Sequence, residues 1–419
     1  MRILYATSEA APLIKTGGLA DVSGALPAAL REIGIDCRVL IPGYPVVMEK
    51  LPDATQVARF EHLPFNGVHH IEARLLLSQM PGSDTPLYIL DAPQAFARSG
   101  GPYQDANGID HPDNALRFGL LSRVAALLSS PESPLEWRPQ ALHCNDWQTA
   151  LAPAYMRLFG NHLPVVMTVH NLAYQGIFPP GTLPELNLPW SCYSVEGVEY
   201  YGNFSFLKAG LYYANQITTV SPSYALEIQQ APLGMGMQGL LANRQHHLSG
   251  ILNGIDTGEW NPSSDLHLPC EFNVRAPSGK KRCKLKLQEE LGLQPSANAP
   301  LFGMIARMAH QKGLDLVLAV ADGIVDQGGQ IALLGTGEKS IEAEVSALVQ
   351  RHPGKVAALI GYDEGLSHRI EAGSDFFLMP SLFEPCGLNQ MYSLRYGSVP
   401  IVHATGGLRE TVDDVFHGF

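Results

Sequence analysis

The sequence predicts an α/β protein built from two Rossmann-like, doubly wound domains. Three observations carry this. Short continuous apolar runs recur along the whole chain, helix-like stretches lie between them, and one turn-rich segment without apolar periodicity divides the series in two. Apolar runs of strand length alternating with helical periodicity describe parallel strands buried on both faces and joined by crossover helices.

The first series opens with RILYAT and continues with LYIL (Leu87 to Leu90), ALHC (Ala141 to Cys144), PVVMTV (Pro164 to Val169) and QITTV (Gln216 to Val220). Helix-like stretches such as NALRFGLLSRVAALL fall between several of them. The segment LNGIDTGEWNP supplies Gly, Asn and Pro turn chemistry and sets the boundary, giving an N-terminal domain over 1–252 and a C-terminal domain over 253–419. The second series is LFGMIA (Leu301 to Ala306), IALLG (Ile331 to Gly335), VAALIG (Val356 to Gly361), FFLMP (Phe376 to Pro380) and VPIVHA (Val399 to Ala404), each separated by a helical stretch. Two such domains are expected to face each other across a cleft. Ligands of such sheets bind beyond the carboxyl ends of the strands.

Composition bounds the function. The chain has 419 residues, 46% of them hydrophobic and 16% charged, and two buried cores account for that length. A formal net charge of −12 argues against nucleic acid as a partner, because backbone-phosphate binding needs a basic surface, whereas a neutral polymer stays allowed. The basic run Lys280-Lys281-Arg282, with Lys284 and Lys286, reads as a solvated helix start. MRILYATSE lacks the features of a leader and no uninterrupted apolar stretch reaches about 18 residues, so a cytoplasmic chain without a membrane partner is expected. Six scattered cysteines without a C-x-x-C pair suggest reduced thiols, and the adjacent His69-His70 and His246-His247 pairs lack metal-ligand spacing.

The chemistry-bearing strings sit just after the apolar runs. Lys15-Thr16-Gly17-Gly18-Leu19-Ala20-Asp21 precedes a helical stretch. Glycines at a helix start let a phosphate approach backbone amides and the positive end of the helix dipole, and Lys15 adds a full charge; a plain strand-to-helix turn fits the same string. Ala404-Thr405-Gly406-Gly407-Leu408 repeats the device in the second domain. Arg307 and Lys312 share one strand-to-helix loop, where two permanent cations can neutralise a departing diphosphate without a metal.

FFLMPS leads into Leu382-Phe383-Glu384-Pro385-Cys386-Gly387-Leu388. Glu384 can hold sugar hydroxyls, stabilise positive charge at an anomeric carbon, or cap the next helix, and Cys386 reads as a packing residue. In the first domain His170-Asn171 and Asn145-Asp146 put polar groups at strand ends, where sugar hydroxyls want donors and acceptors. Gly335-Thr336-Gly337-Glu338-Lys339-Ser340 fits neither the dinucleotide fingerprint nor a P-loop and reads as a turn.

Taken in order, KTGGLADV, HCNDWQTA, TVHNLAYQGIF, NGID, RMAHQKGLDL, GYDE, FEPCGL and TGGL resemble the bacterial glycogen synthases and the related starch synthases across nearly the whole chain. The resemblance implies a retaining glucosyltransferase of GT-B fold that moves glucose from ADP-glucose to an α-1,4-glucan such as glycogen, with no cofactor and no required metal. It implies a diphosphate contact for Lys15, and contacts to the ADP-glucose for Gly17 and Gly18 and for the loop of Thr405, Gly406, Gly407 and Leu408. It further implies leaving-group stabilisation by Arg307 and Lys312, and contacts to the transferred glucose from His170 and Glu384. Asp146 and Asn171 then belong near the sugar pocket, Tyr362 against the adenine, and Tyr103, Asp21 and Cys386 at its margin. Rival readings are a UDP-sugar-dependent transferase of the same fold and a non-catalytic glucan-binding protein. A second glutamate found eight positions on in related retaining transferases is Tyr392 here, as in glycogen synthases. His403 stands where the family pattern has arginine. The family continues past the position of Phe419 with further helices, so the second domain reads as truncated. Oligomeric state is not legible.

Overall fold

A computed structural model describes residues 1–66 and 69–413, divided into two compact units, Met1–Ile251 and Leu252–Phe419. Unit 1 contains β1 (Arg2–Ala6), β2 (Asp36–Pro42), β3 (Thr55–Asn66), β4 (His69–Gln79), β5 (Pro86–Asp91), β6 (Ala141–Asn145), β7 (Val165–Val169), β8 (Ile177–Phe178), β9 (Glu199–Tyr200), β10 (Asn203–Ser205), β11 (Gln216–Thr219) and β12 (Leu248–Gly250). Nine of them form one sheet in the order β12-β11-β7-β6-β1-β2-β5-β4-β3, and β8, β10 and β9 form a small antiparallel one.

The sheet is parallel from β12 to β5, but β4 pairs antiparallel with both β5 and β3. The five runs named from the sequence all pair in parallel with a neighbour, and the antiparallel hairpin β3–β4 is an addition that they did not reveal. The reason lies in one-sided burial: Ile71, Ala73 and Leu75 point into the core while His70, Glu72 and Arg74 are exposed, the period-two alternation of an antiparallel edge. The crossover helix Asn114–Leu128 is buried almost all round, which explains its near-continuous apolar sequence.

Unit 2 is an all-parallel sheet of β13 (Leu301–Ile305), β14 (Gln330–Gly335), β15 (Val356–Ile360), β16 (Phe376–Met379) and β17 (Val399–Val402), ordered β15-β14-β13-β16-β17. Alternate residues serve different cores. Ala332, Leu334, Phe377 and Met379 pack with Leu287, Leu366 and Ile370 of the helices Ser278–Glu290 and Glu364–Gly373. Ile331, Leu333 and Leu378 pack with Leu314, Val317, Val345 and Leu348 of the helices Leu314–Asp326 and Lys339–Arg351. Both faces are thus covered by helices, as a sheet of continuous apolar strands requires.

The basic run departs from expectation. The helix begins at Ser278, so Lys280 and Lys284 fall inside it and turn toward the core. Lys284 Nζ lies 2.6 Å from Asp375 and 2.7 Å from the Ala299 carbonyl, and Lys280 Nζ donates to the Ala372 carbonyl and Ser398 Oγ at 3.0 Å. Long alkyl stems crossing the packed face carry their ammonium groups to acceptors at its far edge. Only Lys281, Arg282 and Lys286 are solvated. Among the described residues, no helix is long and apolar enough to cross a membrane.

Candidate active site

In the parallel part of each sheet the strand order reverses at one place, and a ligand crevice opens at such a switch point beyond the strands' carboxyl ends. In unit 1 it lies between β1 and β6; in unit 2, between β13 and β16.

In unit 1 the chain leaves β1 into a buried loop. Lys15 Nζ meets Asp21 Oδ1 at 2.9 Å, and the helix Gly18–Glu32 starts behind Gly17 with no side-chain cap, so its leading amides are not covered by a capping side chain. A Cβ added to Gly17 would meet nothing within 4 Å. The loop is fixed by Glu9, which the sequence reading did not single out. Its buried carboxylate accepts from Thr16 N at 2.5 Å, from Thr16 Oγ1 at 2.7 Å and from the Tyr103 hydroxyl. Burial raises the Glu9 pKa against these hydrogen bonds. Tyr103 also shares a hydrogen with Ser8 Oγ at 2.8 Å, so its hydroxyl holds the loop. The segment carrying Tyr103 is in turn held by the fully buried Arg117, whose guanidinium donates to the Ala95 and Pro102 carbonyls and to Asn114 Oδ1. The only sequence signal for Glu9 is a carboxylate close behind the first strand.

At the ends of β6 and β7, Asp146 and His170 meet. Asp146 has a positive φ of 54°, and its Oδ1 accepts the His170 backbone N–H at 2.7 Å. Burial pushes its pKa up to about 7, opposed by the His170 and Asn171 amides. The His170 ring faces Asn145 Oδ1 at 3.1 Å, and Asn145 Nδ2 donates to the Ala6 carbonyl at 3.0 Å. That second bond fixes the amide orientation, so His170 Nε2 carries the hydrogen and Nδ1 is left as an acceptor. Burial, reinforced by neighbouring His143, pushes the His170 pKa down to about 3 and keeps the imidazole neutral. Asn171 Oδ1 accepts from Ala173 N at 3.0 Å.

In unit 2 the loops after β13 and β16 are locked together. Leu382 N donates to the Gln311 carbonyl at 2.9 Å, and Gln311 Nε2 to the Phe383 carbonyl at 3.2 Å. Gly313 sits at φ 68°, where a Cβ would strike the Pro380 carbonyl oxygen at 2.2 Å. This brings Lys312 Nζ to 2.6 Å from Glu384 Oε2, which also accepts from Ser381 Oγ at 2.9 Å. Glu384 therefore does not cap the following helix Asn389–Tyr396, which has no side-chain cap. Arg307 is exposed in the same loop as Lys312.

The second glycine pair is packed differently from Gly17. Gly406 has φ 43° with the Glu384 carbonyl oxygen 1.9 Å from its missing Cβ, and Gly407 N donates to that carbonyl at 3.2 Å. Here the glycines let two backbones touch. Thr405 and Leu408 are buried beside them, as is Cys386, whose thiol is pushed up to about 12 by burial. His403, in place of the expected arginine, puts Nδ1 2.8 Å from the Ser381 carbonyl. Tyr392 is buried and stacked on Trp260 at 3.7 Å. Tyr362 stands apart from the Glu384 cluster, exposed behind β15 with its hydroxyl on Glu364.

Known proteins resemble this chain along nearly its whole length. The starch synthase catalytic domain family matches residues 2–243, and the glycosyl transferases group 1 family matches 292–419. A glycogen synthase of Nitrosomonas europaea is 53% identical over 416 residues, covering 99% of this chain and 84% of the relative. One of Dechloromonas aromatica is 53% identical over 415 residues with the same coverage. The catalytic domain of starch synthase IV from Arabidopsis thaliana, solved bound to ADP and acarbose, superimposes with a TM-score of 0.87 at 32% identity, covering 99% of this chain and 85% of that one. A sucrose-phosphate synthase from Thermosynechococcus elongatus shares the fold at 16% identity, with a TM-score of 0.56 over 98% of this chain and 83% of its own.

Proposed function

The chain belongs to the glycogen and starch synthase family of GT-B glycosyltransferases, and from that premise we propose that it moves glucose from ADP-glucose to the non-reducing 4-hydroxyl of an α-1,4-glucan with retention of configuration. The observation that carries the reading is the Lys312–Glu384 contact at 2.6 Å, which sets a permanent cation and a carboxylate side by side at a switch point. Lys312, with Arg307, neutralises the diphosphate as it leaves, so the transfer asks for no metal. Glu384 faces the sugar as oxocarbenium character develops.

In the step proposed, the bond from the anomeric carbon to the phosphate oxygen breaks while the acceptor's 4-oxygen bonds to the same carbon from the same face. The acceptor proton passes to the departing phosphate oxygen. A covalent intermediate would need a carboxylate partner, and Tyr392, at the position where related retaining transferases carry one, is buried against Trp260. Neutral His170 offers Nδ1 to a sugar hydroxyl, and Asp146 holds the His170 backbone in place. Lys15 serves the diphosphate and Tyr362 the adenine. A cytoplasmic setting belongs to the same proposal, supported by six cysteines that are all free.

The test is a glycogen-extension assay with ADP-glucose and UDP-glucose supplied separately, following both nucleoside diphosphate release and chain growth. Growth with ADP release, and little with UDP-glucose, is expected. A UDP-glucose preference removes the donor assignment, and glucan binding without release of either diphosphate makes the chain a binding protein.

A further inference from the structure

Unit 2 carries a second cluster that the transfer proposed above does not use. Glu259, Glu364 and His368 each place one ligand atom within 4.8 Å of the others. Glu259 comes from the turn segment that opens the unit. Glu364 and His368 lie four residues apart on one face of the helix Glu364–Gly373.

His368 is the residue that points to a ligand. Its side chain is 1% exposed, yet Nε2 has no hydrogen-bond partner and lies 3.8 Å from Glu364 Oε1. A buried ring nitrogen left unsatisfied is costly. The ring cannot turn away. Nδ1 is 2.7 Å from Asp265 Oδ2, which also accepts the Tyr396 hydroxyl at 2.5 Å, and the Trp260 ring stacks on the imidazole at 3.8 Å and 9°. Asp265 thereby fixes the tautomer and aims Nε2 at the glutamates. Glu364 is oriented likewise, because Oε2 takes the Tyr362 hydroxyl and Oε1 is the oxygen turned to His368. Outer carboxylates and hydroxyls that hold a histidine and a carboxylate in this way are what surrounds metal ligands.

We propose that His368 Nε2, Glu364 Oε1 and a Glu259 carboxylate oxygen bind one divalent transition-metal ion, with Zn²⁺ as the reference and water completing its shell. One imidazole with two carboxylates suits Zn²⁺ and its neighbours, whereas Mg²⁺ and Ca²⁺ want oxygen throughout. The ion ties the opening turn segment to the helix Glu364–Gly373 and takes no part in glucose transfer.

The experiment is calorimetric titration of the whole chain at pH 8 with Zn²⁺, and with Mg²⁺ as control. Co²⁺ then serves as an absorbing probe. One Zn²⁺ per chain with micromolar or tighter affinity is expected, with a visible Co²⁺ band and no Mg²⁺ binding. The double variant Glu259→Gln/Glu364→Gln should weaken Zn²⁺ at least about a hundredfold with its melting temperature in the metal-free state unchanged, whereas His69→Gln/His70→Gln in unit 1 should change nothing. Millimolar affinity, or Zn²⁺ binding retained by the Glu259→Gln/Glu364→Gln variant, overturns the site.

Discussion

At 2.6 Å the Lys312 ammonium and the Glu384 carboxylate neutralise each other where both are largely buried, and either alone is a charge without its counter-ion. Lys312→Ala therefore does two separable things. It strands Glu384, at about 3 kcal/mol of stability, and it removes a cation from the departing diphosphate, lowering kcat by about two to three orders of magnitude. Adding Glu384→Gln to Lys312→Ala should return most of the lost stability and none of the turnover. Arg307 is exposed, so Arg307→Ala should lower kcat on the same scale with no change in melting temperature. Thermal melts and steady-state kinetics on the three variants separate the effects, and near-normal turnover in Arg307→Ala excludes it from the leaving-group role.

The two Gly-Gly-Leu elements look alike in sequence and differ in what presses on them. Gly17 is extended and open, whereas Gly406 has positive φ and the Glu384 carbonyl in the place of its Cβ. Gly406→Ala should thus cost about 2–4 kcal/mol and lower kcat by displacing Glu384. Gly17→Ala should leave the melting temperature unchanged and raise KM for the nucleotide sugar, because it obstructs only a ligand. A Gly17→Ala chain that melts early would make that glycine structural too. The contrast marks what was legible in the sequence. Strands buried on both faces, such as β7 and β14, announce themselves as apolar runs, and the residues behind them could be picked out by position. The hairpin β3–β4 escaped because one-sided burial breaks its apolar residues into alternation. Glu9 escaped because its meaning depends on Tyr103, which lies 94 positions away. Lys284 escaped because its partner Asp375 is 91 positions away.

Across the whole molecule, buried titratable groups of both kinds set how stability varies with pH. Burial raises Asp146 from 3.8 to about 7 and Glu371 from 4.5 to about 8, so the folded chain holds protons that the unfolded chain releases. Their contribution is complete below their unfolded values and is lost as pH rises through 7 and 8; Glu9 acts in the same direction. His143 and His170 run the other way. Burial lowers them from 6.5 to about 4 and about 3, so their contribution is present above 6.5 and is lost as pH falls through 4 and 3. Between about pH 4.5 and 6.5 the two slopes oppose each other, and the melting temperature should be nearly flat there, falling on both sides. The alkaline fall belongs to these carboxyls together with His368, which burial lowers but the Asp265 and Glu364 carboxylates raise further, to about 9, so that its contribution too is lost as pH rises from 6.5. Asp146→Asn with Glu371→Gln keeps the acceptors for His170 N and Ser393 Oγ while removing both titrations, so the fall above pH 6.5 should become shallower in that variant and keep only the part that belongs to His368. A wild-type melting temperature that climbs steadily from pH 6.5 to 8 would mean these carboxyls are ionised in the folded chain, with Asp146 then holding His170 as a full anion.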